Sequence, residues 1–346
     1  MEGFSLPGKR ADRIVLEANL DYWDRTRLPQ LQRIIFDNAL DQDAALELVK
    51  TSEGRVDMVT GLSPLETLRV AQSPLAKVVK TRGALITMLG LFNMRKTGSP
   101  WHDVRLRQAA NVAINREDLI RYAAKGNGRT IPALVAVGGF GYDPTLAPYP
   151  FDPTKARHLL HEAGYPNGLA LTLIAPQDLE VQATVVSKML EQGGFQVTRE
   201  LLTPDAYNRR THLGHLEQPA EQQTWDIALV GRVNRLNLPI ELLYHVLALD
   251  GYHDWVVEQP ELHQLNEQAL RTADAERQQA VIRQMERYTR DQAYFLFLYN
   301  PIKLYAVNKA VEFVPYISTI VNLTETGVTE EHWSVRKQKA AGGSKR

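Results

Sequence analysis

Residues Ser99–Ile120 read SPWHDVRLRQAANVAINREDLI, and the fold follows from them. Pro100 pushes the residue before it out of the α region, so a preceding element ends there. Asp103 is placed to cap a helix by accepting an orphan backbone N–H. Leu106, Ala109, Ala110, Ala113 and Ile114 then recur at helical spacing on one apolar face, with Arg105, Arg107 and Gln108 off it. Asn115, with Asp118 three residues on, forms a variant capping box and starts a second helix at once. The spacing predicts two helices meeting at a tight joint.

Downstream, Asp152 caps, Pro153 fits a first turn and Gly164 ends a further helix over 153–163. A strand (Leu169–Ile174), a helix (Val181–Gln192) and a strand (Phe195–Leu201) follow, an αβ alternation. Asp205–Leu213 is expected as helix, Thr224–Gly231 as strand and Arg232–Pro239 as loop. Pro260–Thr272 and Ala275–Asp291 read as helices, Tyr294–Tyr299 and Lys303–Val307 as strands. Upstream, Arg13–Ala18 and Leu31–Phe36 read as strands, Asp41–Ser52 and Ser63–Ala71 as helices, and the apolar Gly83–Asn93 as a central strand leading into a crossover. Gly126 and Gly128 are expected to end the helix after Asn115, and the Gly- and Pro-rich 131–150 to form a loop.

The 346 residues carry 40 basic and 40 acidic side chains, so no bulk charge draws the chain to nucleic acid or an anionic membrane. With no cysteine, thiolate metal sites and cysteine nucleophiles are excluded. No run of about twenty apolar residues exists to span a membrane, and the first ten residues hold no apolar core of a signal peptide. No nucleophile elbow, phosphate loop or zinc-protease motif occurs, so no enzyme is indicated. His158 with His161, and His212 with His215, lack a third ligand, so no metal or cofactor is expected.

Several stretches resemble the extracytoplasmic solute-binding proteins of family 5, the dipeptide-, oligopeptide- and nickel-binding proteins of ABC importers. Trp101–Arg116 is similar to the family pattern (F/W)-x-D-x-R-V-R-x-A-(L/I)-x-x-A-I-D-R, with Asn115 in place of the usual Asp. Ile14, Leu16, Asn19, Tyr22 and Trp23 fit I-x-L-x-x-N-x-x-Y-W, and Phe151–Tyr165 fits (Y/F)-D-P-x-K-A-x-x-L-L-x-x-A-G-(Y/W/F). Gly54–Met58 and Val311–Pro315 resemble two shorter patterns.

The resemblance implies an α/β, two-lobed periplasmic-binding-protein-like fold (type II, cluster C), with a first lobe that lacks its usual N-terminal part. It places lobe one at 1–97 and 300–335, lobe two at 98–299 and a disordered tail at 336–346, with hinges near Asn93–Pro100 and Asn300–Ile302. It also implies a small polar solute, peptide-like or anionic, captured between the lobes, ABC permease subunits as partners and an extracytoplasmic location; the absent signal segment leaves the cytoplasm open. A second chain or self-association would complete lobe one. A non-transport sensing or assembly protein on the same fold is the alternative.

Candidate ligand-binding residues are Asn93, Arg95 and Trp101 at the first crossover, Tyr142 in the 131–150 loop, and Trp225, Arg232, Asn234, Arg235 and Asn237. The family's peptide pattern G-W-x-A-D-x-x-x-P, counted back from Pro239, puts Arg232 at its Trp and Arg235 at its Asp. A cation there repels a peptide amino terminus and suits a carboxylate or phosphate. Two readings stand at this point: Arg232 and Arg235 hold an anionic ligand, or they are solvated loop residues. Likewise Trp101 either faces the ligand or packs in the interior.

Overall fold

The structure, a computed structural model, describes residues 11–52, 54–234, 237, 255–257, 260–318 and 321–337. These divide into two units. The first runs to Arg82 and resumes with Lys303–Tyr316 and the residues after 320; the second is Gly83–Ile302 with Ile317–Thr319. The expected boundaries at 97/98 and 299/300 both lie inside the second unit, which runs from Gly83 to Ile302. Arg235, Pro239 and most of the expected tail lie outside the described residues.

In the first unit, β1 (Arg13–Glu17) and β2 (Arg33–Asp37) pair antiparallel, with Val15 opposite Ile35 and a charge pair at each end. α1 (Gln42–Val49) starts at Asp41, whose side chain accepts the Ala44 N–H at 2.8 Å. A three-stranded sheet follows from β3 (Met58–Val59), β4 (Ala76–Lys80) and, returning late in the chain, β11 (Leu304–Asn308) between them. The short α2 (Thr67–Ala71) precedes β4. A final pair, β12 (Val311–Glu312) and β13 (Gly327–Val328), closes a small core of Tyr305, Val307, Val311 and Phe313.

The second unit is built on β5 (Ile86–Phe92), whose burial along almost its whole length marks an interior strand. The opening stretch forms α3 (Val104–Val112) and α4 (Arg116–Ala123), capped by Asp103 and Asn115. All five predicted apolar positions of the first helix are buried. Arg107, read as off that face, is buried too, because backbone carbonyls surround it: it donates to Trp101 O at 2.5 Å and to Gln292 O at 2.8 and 3.0 Å.

Asn111 explains how α3 joins the sheet. Its amide donates to Phe295 O at 2.9 Å and its oxygen accepts the Phe297 N–H at 3.1 Å, continuing the hydrogen bonding of the adjacent strand. Arg116 donates to that same oxygen and to the carbonyls of Asn111, Ile114 and Tyr149; burial lowers its pKa to about 9.

The chain leaves α4 through Lys125 and Gly126, both with positive φ. Gly128 does not end the helix; it lies in β6 (Gly128–Thr130), where a Cβ would stand 2.9 Å from the Tyr299 ring. After α5 (Pro153–Glu162), Gly164 at φ 92° turns the chain, and Tyr165 N–H returns to Leu160 O at 2.8 Å. Then come β7 (Leu169–Pro176), α6 (Glu180–Gln192), β8 (Phe195–Leu202), α7 (Pro204–Thr211) and β9 (Ile227–Val233). The helices α8 (Pro260–Arg271) and α9 (Ala275–Asp291) precede β10 (Phe295–Pro301).

The six strands lie in the order β6-β10-β5-β9-β7-β8. β7, β8 and β9 are mutually parallel, while β5 runs against both β9 and β10. Central strand β5 thus belongs to the second unit, not to lobe one as expected: its partners come from much later in the chain. The carboxyl ends of β7, β8, β9 and β10 fall at one edge with the start of β5. The links at Arg82–Gly83 and Ile302–Lys303 join the second unit through those ends of β5 and β10.

Candidate functional site

Strands β5 and β9 pair from Phe92↔Ile227 at one end to Ile86↔Val233 at the other. Those ends are about 20 Å apart along the strand. The predicted ligand residues divide between those two ends.

At the Phe92 end, Asn93 is fully buried and every polar group it has is used. Its amide donates to Trp225 O at 3.0 Å, its side-chain oxygen accepts Lys96 N–H at 3.0 Å, its carbonyl accepts Ser99 Oγ at 2.6 Å and its N–H reaches Asp226 O at 3.0 Å. Asp226 in turn accepts the Thr172 N–H at 2.8 Å and pairs with Lys96 at 2.9 Å. Trp101 and Trp225 are fully buried. Trp101 stacks against Phe92 and Phe195; Trp225 meets Trp255 edge-on and donates to Arg210 O at 2.9 Å. These three residues are fully buried and pack in the interior of the second unit. Arg95 is half-buried at the same end, away from the carboxyl edge.

The other end gathers Arg232, Asn234, Asn237 and the loop of Tyr142. Arg232 is not a loop residue: it lies in β9, opposite Thr87. Burial lowers the pKa of its guanidinium, offset by Tyr207 beside it. Tyr207 donates to Leu229 O at 2.7 Å, and burial raises its hydroxyl above the ordinary tyrosine value. Asn234 extends the pairing, its N–H reaching Leu85 O at 2.8 Å. Asn237 adopts φ 56°, a left-handed conformation that asparagine tolerates, and its Oδ1 accepts the Phe140 N–H at 2.9 Å.

That bond ties β9's continuation to the 131–143 loop, which is fastened from three further directions. Thr87 Oγ1 donates to Leu134 O at 2.8 Å. Glu286 on α9 accepts Val135 N–H at 2.7 Å. Asp143 pairs with Arg287 at 2.8 Å and accepts from Thr145. Gly141, at φ 85°, lies where a Cβ would stand 2.4 Å from Ile282, so the loop closes against α9 only with glycine there. Tyr142 is half-buried on this fastened loop. Asn300 closes the edge, its amide donating to Ala84 O at 2.5 Å and to Ile86 O.

The arrangement is a cation beside a phenol at the carboxyl end of a mainly parallel three-strand group, rimmed by a held loop. Open α/β sheets bind ligands outside the carboxyl ends of their strands. Sequence reasoning passes over Thr87 and Glu286, and names Asn300 only as the start of an expected hinge. Two signals are present: Thr87 interrupts an apolar strand, and Glu286 follows Ile282 by one helical turn. No group of three or more His, Asp or Glu suited to a metal occurs among the described residues, and none of their helices is long and apolar enough to cross a membrane.

Residues 8–253 match the family described as bacterial extracellular solute-binding proteins, family 5, middle region. The match covers well over half of the chain, and the chain belongs to that family. It is 29% identical over 164 residues to the glutathione-binding protein GsiB of Escherichia coli, covering 47% of this chain and 31% of that protein. It is 28% identical over 151 residues to heme-binding protein A of Haemophilus influenzae, covering 44% and 26%. The chain thus matches only 26–31% of the length of these curated relatives.

Among solved structures, the periplasmic binding protein DppA of Helicobacter pylori, in complex with the peptide STSA, superposes with a TM-score of 0.72 at 21% identity, over 92% of this chain and 60% of that one. HbpA2 of Haemophilus parasuis gives 0.76 at 19% identity, over 92% and 62%. The chain therefore has the α/β fold of the two-lobed periplasmic binding proteins.

Proposed function

We propose that this chain is the solute-binding component of an ABC importer, acting in the extracytoplasmic space, and that its ligand is a small peptide-like solute bearing a carboxylate. Membership of family 5 across residues 8–253 carries this reading. The ligand class rests on Arg232: a half-buried guanidinium at the carboxyl end of β9 favours an anion over a peptide amino terminus. The named ligands of two relatives, glutathione and heme, both carry carboxylates, in keeping with that charge.

Calorimetric titration and thermal denaturation with glutathione, with neutral and acidic di- and tripeptides, and with heme test the proposal. A ligand bound only by the folded chain stabilises it by about 2.7 kcal/mol at a hundred times its Kd. The expected result is a saturable rise in Tm with a carboxylate-bearing peptide and none with its amidated form. An equal response to both forms overturns the charge assignment, and no response to any of them overturns solute binding by this chain.

A further inference from the structure

We propose that the β1–β2 hairpin is a self-association surface, on which a second copy of this chain adds its own β2 antiparallel to form a four-stranded sheet. Leu20 (69% exposed), Trp23 (82%), Leu28, Ile35 and Phe36 all lie in this hairpin, a concentration of exposed apolar side chains within residues 20–36. Among the described residues β1 is the one strand that pairs with β2. An edge strand with apolar side chains is a template for another strand.

The sequence of β2, Arg33-Ile34-Ile35-Phe36-Asp37, chooses the partner and the register. Placed antiparallel to itself about Ile35, it sets Arg33 opposite Asp37 at both ends and Ile34 opposite Phe36 twice. A parallel arrangement sets Arg33 against Arg33 and Asp37 against Asp37, and directly opposed like charges are destabilising. A two-residue slip leaves each charge opposite an apolar residue. The hairpin already uses the same pairing internally: Arg33 meets Glu17 at 2.6 Å and Arg13 lies opposite Asp37. In the four-stranded sheet Val15, Ile35 and their two-fold mates form one apolar row, with alternating charges at its ends. A closed two-fold contact of this kind is isologous and stops at the dimer.

The chain has no cysteine, so one introduced thiol reports the register directly. The full chain carrying Ile35→Cys is expected to form a disulfide-linked dimer on mild oxidation, since two-fold pairing puts the two positions opposite each other within bridging range. Leu68→Cys, exposed but on α2, is expected to stay monomeric. By light scattering, Arg33→Glu and Asp37→Arg should each weaken self-association about tenfold. An equimolar mixture of the two variants should recover it, because both ends then pair opposite charges. A chain that stays monomeric at its highest soluble concentration overturns the proposal. So does a dimer indifferent to both charge reversals, or capture of a different polypeptide on the hairpin while the chain alone does not dimerise.

Discussion

Glu286 accepts the backbone N–H of Val135 at 2.7 Å, and this carboxyl is buried, with its pKa raised by desolvation from 4.5 to about 8. Backbone donors from Val135 and Leu134 offset part of that rise, while the charge of Asp143 adds to it. The folded state therefore holds a proton that the unfolded state releases near pH 4.5. Between those two values the native state binds more protons, so stability falls as pH rises. The contribution is intact below about pH 4.5 and is lost by about pH 8, a change on the order of 5 kcal/mol. Denaturant melts across that range should show the decline. Glu286→Gln, which keeps the acceptor for Val135, should flatten it; an unchanged slope would remove Glu286 as its source.

Asn93→Ala leaves Trp225 O and the Lys96 N–H without their side-chain partner in a buried place. We expect a loss of about 2–3 kcal/mol in unfolding free energy. Ligand affinity of the folded fraction should stay the same, because Asn93 lies at the far end of β5 from the carboxyl edge. A titration showing a tenfold weaker Kd with normal stability would return Asn93 to the binding site.

Arg232→Gln tests the other end. The side chain keeps an amide donor but is two bonds shorter and loses its charge, so affinity for a carboxylate-bearing ligand should fall about tenfold or more, at about 1.5–3 kcal/mol for a hydrogen bond to a charged group. Arg232→Lys should recover only part of it, since a lysine gives no bidentate fork. Equal affinity in all three proteins, measured by calorimetry, would place the ligand's charge elsewhere.

What the sequence revealed of this fold was local chemistry. Asp103, Asn115 and Asp152 each cap a helix through bonds that span two or three residues, and such geometry is written in the spacing. What failed was nonlocal. β5 was placed in the wrong unit because its partners β9 and β10 come from distant segments. Arg107 looked solvated, yet carbonyls from Trp101 and Gln292 replace its water. Arg232 was read past the end of a strand that Thr87 in fact prolongs. Of the candidate residues, Arg232, Asn234 and Asn237 share the carboxyl end of β9. Which end of the sheet they shared was not legible, because an apolar strand shows the same alternation from either end.

One carboxylate anchors two side chains of the chain's last described segment. Asp57 Oδ1 lies 3.0 Å from His332 Nε2 and accepts the Trp333 indole N–H at 3.1 Å, while His332 Nδ1 meets Ser334 Oγ at 2.8 Å. The Trp333 ring then covers Gly54, where a Cβ would stand 2.2 Å from it and the backbone has φ 75°. Gly54→Ala must therefore displace the indole and adopt a left-handed conformation, which alone costs about 1 kcal/mol. Asp57→Ala removes both anchoring bonds without that strain. Both variants should expose the segment after Thr329 to protease, with cleavage faster than in the parent. Asp57→Asn, which keeps an acceptor, should restore most of the protection. Equal cleavage rates in all four proteins would show that the segment is held by something other than Asp57.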